Sequence, residues 1–187
     1  NLLGPEQSGY MMSVGYDMYL QLLEEAVLEE RGEKKASRTD CSADLTVSAN
    51  LPESYIPSPE QRMDIYRRIA AVRTREESQD LLDELLDRYG EPPASTLALL
   101  DVAILRGEAC AAGIRDISQR GDTITFTFGG EMPVEAVMRV CTMGKNKRRL
   151  TLSAGIEPKL ALRLEGGEKP LPAALELVES IAPAEGA

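Results

Sequence analysis

The chain has 187 residues, a formal net charge of -10 and a pI near 4.7. That balance excludes a DNA-binding surface as its main business, because phosphate binding draws on clustered Lys and Arg, although a local basic patch stays compatible with it. Histidine is absent, which removes the commonest general base and the commonest metal ligand together.

The length suits one globular domain with an appendage, and a domain of this size buries roughly 70% of its unfolded surface. Two Phe and no Trp make the core aliphatic. Three cysteines, Cys41, Cys110 and Cys141, stand far apart without CxxC spacing, which predicts a reduced cytosolic compartment. Cys110 and Cys141 fall on apolar helix faces, and Cys41, in a polar stretch, is expected to be the exposed thiol. No apolar run of about eighteen residues predicts a membrane span.

In chain order, Asn1 is not a start residue, and Leu2-Leu3-Gly4 reads as the tail of an apolar element that turns at Gly4-Pro5. A helix follows over 15–31, with Tyr16, Tyr19, Leu20, Leu23 and Val27 on one stripe. Nothing nearby covers that stripe, so a partner in a larger protein is expected. Residues 31–41 are polar and aperiodic and read as a linker. A strand is predicted over 43–49 with Leu45 and Val47 on one side. Pro52, Pro57 and Pro59 then extend the chain, read either as a peptide-like docking segment or as a rigid connector that Tyr55 and Ile56 pin to the core.

A helix from Ser58 or Pro59 to about Val72 is expected to bury Met63, Tyr66, Ile69 and Ala70. Thr74 and Glu77 form a capping box. The helix it opens buries Leu81, Leu82, Leu85 and Tyr89, and Gly90 with Pro92-Pro93 ends it. The next helix, from Pro93 to about Ala112, is apolar nearly all round (Leu97, Leu99, Leu100, Val102, Ile104, Leu105) and should be the central buried one. A hairpin over 114–129 turns at Arg120-Gly121-Asp122, with Ile124, Phe126 and Phe128 facing in and Thr123, Thr125 and Thr127 facing out. A helix over 133–143 points Val134, Val137, Met138 and Cys141 inward. Strands follow over 149–154 and 160–164, then a helix over 171–181. The fold class is α+β: a long N-terminal helix, then a helical half, then an antiparallel ββαββα half.

No phosphate loop, dinucleotide fingerprint, HExxH or GxSxG is present. The chain therefore reads as non-enzymatic, with no catalytic residue, cofactor or metal. Two charged features remain. On the helix after Thr74, Glu76, Glu77, Asp80, Asp83, Glu84 and Asp87 lie opposite the apolar stripe, and Glu84 and Asp87 are neighbours at i and i+3. A solvated helix face explains such a cluster, as does a basic partner that relieves its self-repulsion. The run Lys145, Lys147, Arg148 and Arg149 follows a helix stop and should be an exposed loop. It supports the alternative of a nucleic-acid-binding accessory domain, though no aromatic residues interleave. Carboxylate-bound Mg²⁺ on the acidic helix would need converging ligands, and these fan over half a cylinder.

Asn1 to Gly4, Gln7 to Gly9, and Val14, Gly15, Tyr16 and Tyr19 closely resemble the junction that leaves the second motor domain of bacterial transcription-repair coupling factors. The resemblance continues through Ile56-Pro57, Arg62 and Tyr66. It extends to Glu84-Leu85-Leu86-Asp87-Arg88-Tyr89-Gly90, similar to the family's Glu-Leu-x-Asp-Arg-(aromatic)-Gly signature. It implies the end of a motor domain and its connecting helix over 1–33, a linker over 34–42, a C-terminal regulatory domain over 43–183 and a tail over 184–187. It further implies a cytoplasmic, ATP-dependent DNA translocase as parent. There the domain docks on the UvrB-like module of the same polypeptide and masks the surface that recruits UvrA. UvrA and RNA polymerase are then indirect partners, with no membrane. By the resemblance, Glu84 and Asp87 would pair with Arg residues of that module, with Glu77, Asp80, Asp83 and Arg88 around them.

Overall fold

The structure is a computed structural model and describes residues 41–183. The helix predicted over 15–31 and the resemblance carried by residues 1–19 lie outside the described residues. The described chain forms two compact units: Thr46–Ile104, and residues 41–45 with 105–183.

The first unit is helical. Its chain enters as an extended proline-bearing segment and then forms α1 (Pro59–Ala71) and α2 (Arg75–Tyr89), followed by the first part of α3 (Ala94–Ala111). Ser58 caps α1 by accepting from the Gln61 N–H, and a proline at the start has no N–H to leave unmet. Ile65, Tyr66, Ile69 and Ala70 are buried, whereas Met63 is only half-buried. Thr74 and Glu77 make both bonds of the capping box on α2. Gly90 ends that helix at φ 81°, a left-handed conformation that costs glycine nothing. In α2 Leu81 and Leu85 are buried and Leu82 half-buried. Along α3, Leu99, Leu100, Val102, Ile104 and Leu105 are buried. Leu97 is 40% exposed, so the helix is not wrapped all round.

The second unit is built on a five-stranded sheet of order β1-β2-β3-β5-β4, with β1 Ser42–Asp44, β2 Ile114–Arg120, β3 Thr123–Phe128, β4 Leu150–Ser153 and β5 Lys159–Arg163. Strands β2 to β5 pair antiparallel, but β1 joins β2 in parallel, so the sheet is mixed rather than purely antiparallel. The registers Ala43↔Ile117, Ile117↔Phe126, Phe126↔Leu160 and Leu160↔Leu152 align one row of apolar side chains across all five strands. Helices α4 (Val134–Thr142) and α5 (Pro170–Ile181) contact one another in this unit. Among the described residues there are five α-helices and five strands, an α+β architecture.

Further expectations need correction. The first strand covers Ser42–Asp44 rather than 43–49, because only Ser42, Ala43 and Asp44 find partners on β2, and Leu45 and Val47 are half-buried without a ladder. Cys41 is 1% exposed, not a surface thiol, since it leads directly into that strand and its carbonyl accepts from the buried Arg106 Nε at 3.2 Å. Thr127 is buried at 5% exposure between the buried Phe126 and Phe128, so the alternation of β3 breaks at its end. Helix α4 is turned from its predicted face. It buries Val137 and Val140, while Val134 and Met138 are 56% and 50% exposed.

Phe126 sits at the middle of the apolar row and is fully buried. Phe126→Ala should cost about 3–5 kcal/mol in equilibrium urea unfolding, by lost transfer energy plus the cavity left behind. Ile156→Ala, at a fully exposed hairpin tip, should stay within about 0.5 kcal/mol.

Candidate functional site

The extended segment before α1 is short of backbone partners, so side chains supply them. Arg62, 7% exposed, donates from Nη1 to the carbonyls of Ile56 at 2.8 Å and Pro57 at 3.1 Å. The Tyr66 hydroxyl accepts the Leu51 N–H at 2.9 Å. Burial pushes the Tyr66 phenol upward in pKa, opposed by that hydrogen bond and by nearby Arg62. The Tyr55 hydroxyl contacts the carbonyl of Leu85 in α2 at 3.2 Å and that of Gly90, just past its end, at 2.8 Å. Partial burial raises its pKa first, with Glu91 and Tyr89 adding to it. The connector is thereby tied to the C-terminal turn of α2, as the placement of Tyr55 and Ile56 suggested.

Burial of Ser78, Leu81 and Leu85 turns the acidic side of α2 outward. Its carboxylates are not equivalent. Glu77 is committed to the cap, its Oε2 accepting from the N–H groups of Arg73 at 2.7 Å and Thr74 at 3.2 Å. Asp83 accepts from Gln79 Nε2 at 2.8 Å. Glu84 pairs through Oε2 with Arg68 of α1 and, at 3.8 Å, with Arg88 one turn on. Both cations sit on Oε2, and the side chain stays 37% exposed. Glu76, Asp80 and Asp87 are exposed and make no ion pair among the described residues. Arg88, 40% exposed, lies 5.0 Å over the Tyr89 ring. Tyr89 packs tilted against Tyr55 at 5.9 Å, and its hydroxyl donates to Gln61 Oε1 at 3.1 Å.

Thus Glu84, Asp87 and Arg88 share one end of one helix, held by Tyr55 and Tyr89. Arg68 is the neighbour of Glu84 that sequence reasoning missed. It is sixteen positions from Glu84, beyond any helical periodicity, and no local signal would have paired the two.

The basic run behaves differently. Gly144–Asn146 is a 3-10 turn, and Asn146 Nδ2 donates to the Val140 carbonyl at 3.2 Å. Lys145 pairs with Glu176 at 2.5 Å on the surface. Arg149, expected in an exposed loop, is 6% exposed and held by Glu168 at 2.5 Å. Buried guanidinium needs such a partner, so Arg149 belongs to the framework rather than to an open loop. Lys147 and Arg148 are exposed. Burial raises the Cys141 thiol pKa, the opposite of what a reactive thiolate needs. Among the described residues no group of three acidic or cysteine side chains is placed to hold a metal ion. No helix there is long and apolar enough to cross a membrane.

The model of the TRCF domain matches residues 45–138, a span that includes α2 and stops short of the basic run. The transcription-repair-coupling factor of Staphylococcus epidermidis is 40% identical over 126 residues, 66% of this chain and 11% of that protein. That of Bacillus subtilis is 36% identical over 136 residues, 72% of this chain and 12% of that protein. The chain therefore spans about an eighth of the length of these relatives. The crystal structure of a C-terminal domain of a transcription-repair coupling factor superposes with a TM-score of 0.67 at 20% identity, covering 78% of this chain and 95% of that one. At that identity the likeness speaks for the fold.

The hydroxyl bonds and the ion pairs at this helix end should separate under salt. Tyr55→Phe should cost about 1 kcal/mol of unfolding free energy at any ionic strength. Arg68→Ala should cost about 0.2–1 kcal/mol at low salt and less at 0.5 M or so, because the pair is exposed and screened. Urea titrations of both variants at two salt concentrations check this.

Proposed function

The chain belongs to the TRCF-domain family of transcription-repair coupling factors, and from that premise we propose that it is a non-catalytic regulatory domain of a DNA translocase. Its acidic helix α2 docks on the UvrB-like module of the same polypeptide and masks the surface that recruits UvrA. Release would follow engagement of RNA polymerase and ATP-driven motion in the parent.

The observation that carries this reading is the division of labour among the carboxylates of α2. Glu77 and Asp83 are spent locally, while Glu76, Asp80 and Asp87 stay exposed with no ion pair among the described residues. Three uncommitted negative charges on one face repel mildly, and a basic partner removes that cost. Glu84 is held in place by Arg68 and Arg88 on one oxygen, so its carboxylate is ordered before any partner arrives. Rim ion pairs contribute about 0.2–1 kcal/mol each, which suits a contact that must open.

The nucleic-acid alternative fares worse. Pairing of Lys145 with Glu176 and of Arg149 with Glu168 leaves Lys147 and Arg148 as the exposed, uncommitted cations of that run, few for phosphate binding.

Calorimetric titration of the chain with the isolated UvrB-like module should give a Kd of about 1 μM to 1 mM that weakens with salt. Asp87→Arg is the cleaner substitution, because Asp87 has no internal ion pair among the described residues to lose. Adding Glu84→Arg should abolish binding, and the same pair in the full-length protein should strengthen UvrA binding. Unchanged UvrA binding by the double variant would overturn the clasp.

A further inference from the structure

The exposed side of α4 carries a second surface, in the sheet-containing unit, that nothing above uses. Val134 and Met138 stand one turn apart at 56% and 50% exposure, an apolar pair that periodicity assigned to the core. Beside Val134 opens a groove of about 920 Å³ between the start of α4 and the ends of α3 and α5. Its lining carries Glu131 and Glu135 together with Arg139, whose Nη2 donates to the Ser180 carbonyl at 3.3 Å.

The backbone adds to this sign. Helices α3 and α5 both end at the groove, and neither has a basic residue in its last turn. Helix C-termini carry partial negative charge that cations near them normally offset. Glu131, Glu135 and two helix ends thus share the groove with one arginine, and Val134, Pro133 and the buried Ile181 also line it. Exposed apolar area rimmed by polar groups marks interaction surfaces rather than ordinary solvent contact.

We propose that this groove, with the Val134–Met138 face of α4, is a docking site for a cationic amphipathic helix of a partner protein. Apolar side chains of that helix cover Val134 and Met138, and its Lys or Arg residues meet Glu131, Glu135 and the two helix ends. Charge complementarity argues for this occupant over a second copy of the chain, which would bring the same negative rim against itself at a net charge of -10. The site lies apart from α2 in sequence and does not rest on the function proposed above.

Methionine methyl NMR reads the site directly, since Met132 and Met138 belong to it and Met63, in α1, reports elsewhere. The chain is titrated with a helix-forming peptide of leucine and lysine whose leucines recur at i, i+3, i+4 and i+7. A peptide of the same composition in scrambled order serves as the control. The expected result is saturable shifts at Met132 and Met138 with Met63 still, and at least about tenfold weaker binding of the scrambled peptide. Glu131→Lys with Glu135→Lys should weaken binding by about tenfold. Val134→Lys with Met138→Lys should do the same, and both pairs are surface changes that leave the core intact. Shifts at Met63 as large as those at Met138, or equal binding of both peptides, would mean general attraction to an acidic chain and would overturn the proposal. So would no shift at millimolar peptide, or shifts that follow protein concentration without peptide, which would identify a second copy as the occupant.

Discussion

A proline-bearing connector with no ladder of its own has to find partners for its backbone, and the helical unit is arranged around meeting that demand. Leu51 and Ile56 are 4% and 0% exposed, so the Leu51 N–H and the Ile56 carbonyl are cut off from water. Leaving one buried donor or acceptor unmet costs about 1–3 kcal/mol. The Leu51 N–H goes to Tyr66, the Ile56 and Pro57 carbonyls to Arg62, and the Asn50 carbonyl to Thr96 Oγ1. These bonds fix α1 and the start of α3 against one stretch of chain. Tyr55 extends the same device to α2, so the orientation of the acidic face follows from how the connector is satisfied.

That dependence gives Ile56, Pro57, Arg62 and Tyr66 one physical meaning. They carried part of the family resemblance, and in the fold Arg62 donates to the Ile56 and Pro57 carbonyls while Tyr66 accepts from Leu51 of the same connector. Tyr89 and Gly90 belong to it as well, one packing on Tyr55 and the other accepting its hydroxyl. The matched signature at the end of α2 therefore mixes scaffold with surface: Leu85, Tyr89 and Gly90 hold position, while Asp87 and part of Glu84 face water.

What sequence alone made legible was local chemistry. The capping box at Thr74, the left-handed stop at Gly90, the turn around Gly121 and the alternation of Ile124, Phe126 and Phe128 each depend on residues within a few positions. What it missed depends on distant ones. Strand β1 runs parallel to β2, more than seventy positions away, and Cys41 is buried because of it. Helix α4 has Val134, Val137, Met138 and Cys141 at spacing that satisfies a helical stripe, yet Val140 is equally apolar. The pattern allowed two faces, and the contact with α5 chose the one containing Val137 and Val140. Of the candidate site, the acidic side of α2 was readable as a face, but the commitment of each carboxylate was not.

Commitment is what separates the two charged clusters. In the basic run, Arg149 is removed from the surface and its charge neutralised by Glu168. Lys145 would have to break from Glu176 before meeting a phosphate. On α2 the internal pairs have the opposite consequence. Arg68 and Arg88 share Oε2 of Glu84, and a carboxylate offers lone pairs on both oxygens. An incoming guanidinium can take Oε1 without displacing either cation, and it meets a side chain whose rotamer freedom has already been spent. The ordering cost of about 0.5–1.5 kcal/mol per side chain is thereby reduced for the contact itself. Asp87, one turn away and unpaired among the described residues, supplies the charge that Glu84 alone would not. In the docking proposed above, a pair of this kind would be weak on its own, and an intramolecular tether would raise its effective concentration enough to close it. Weakness would then be the useful property of the proposed clasp, because a contact held mainly by concentration opens when the tethered modules move apart.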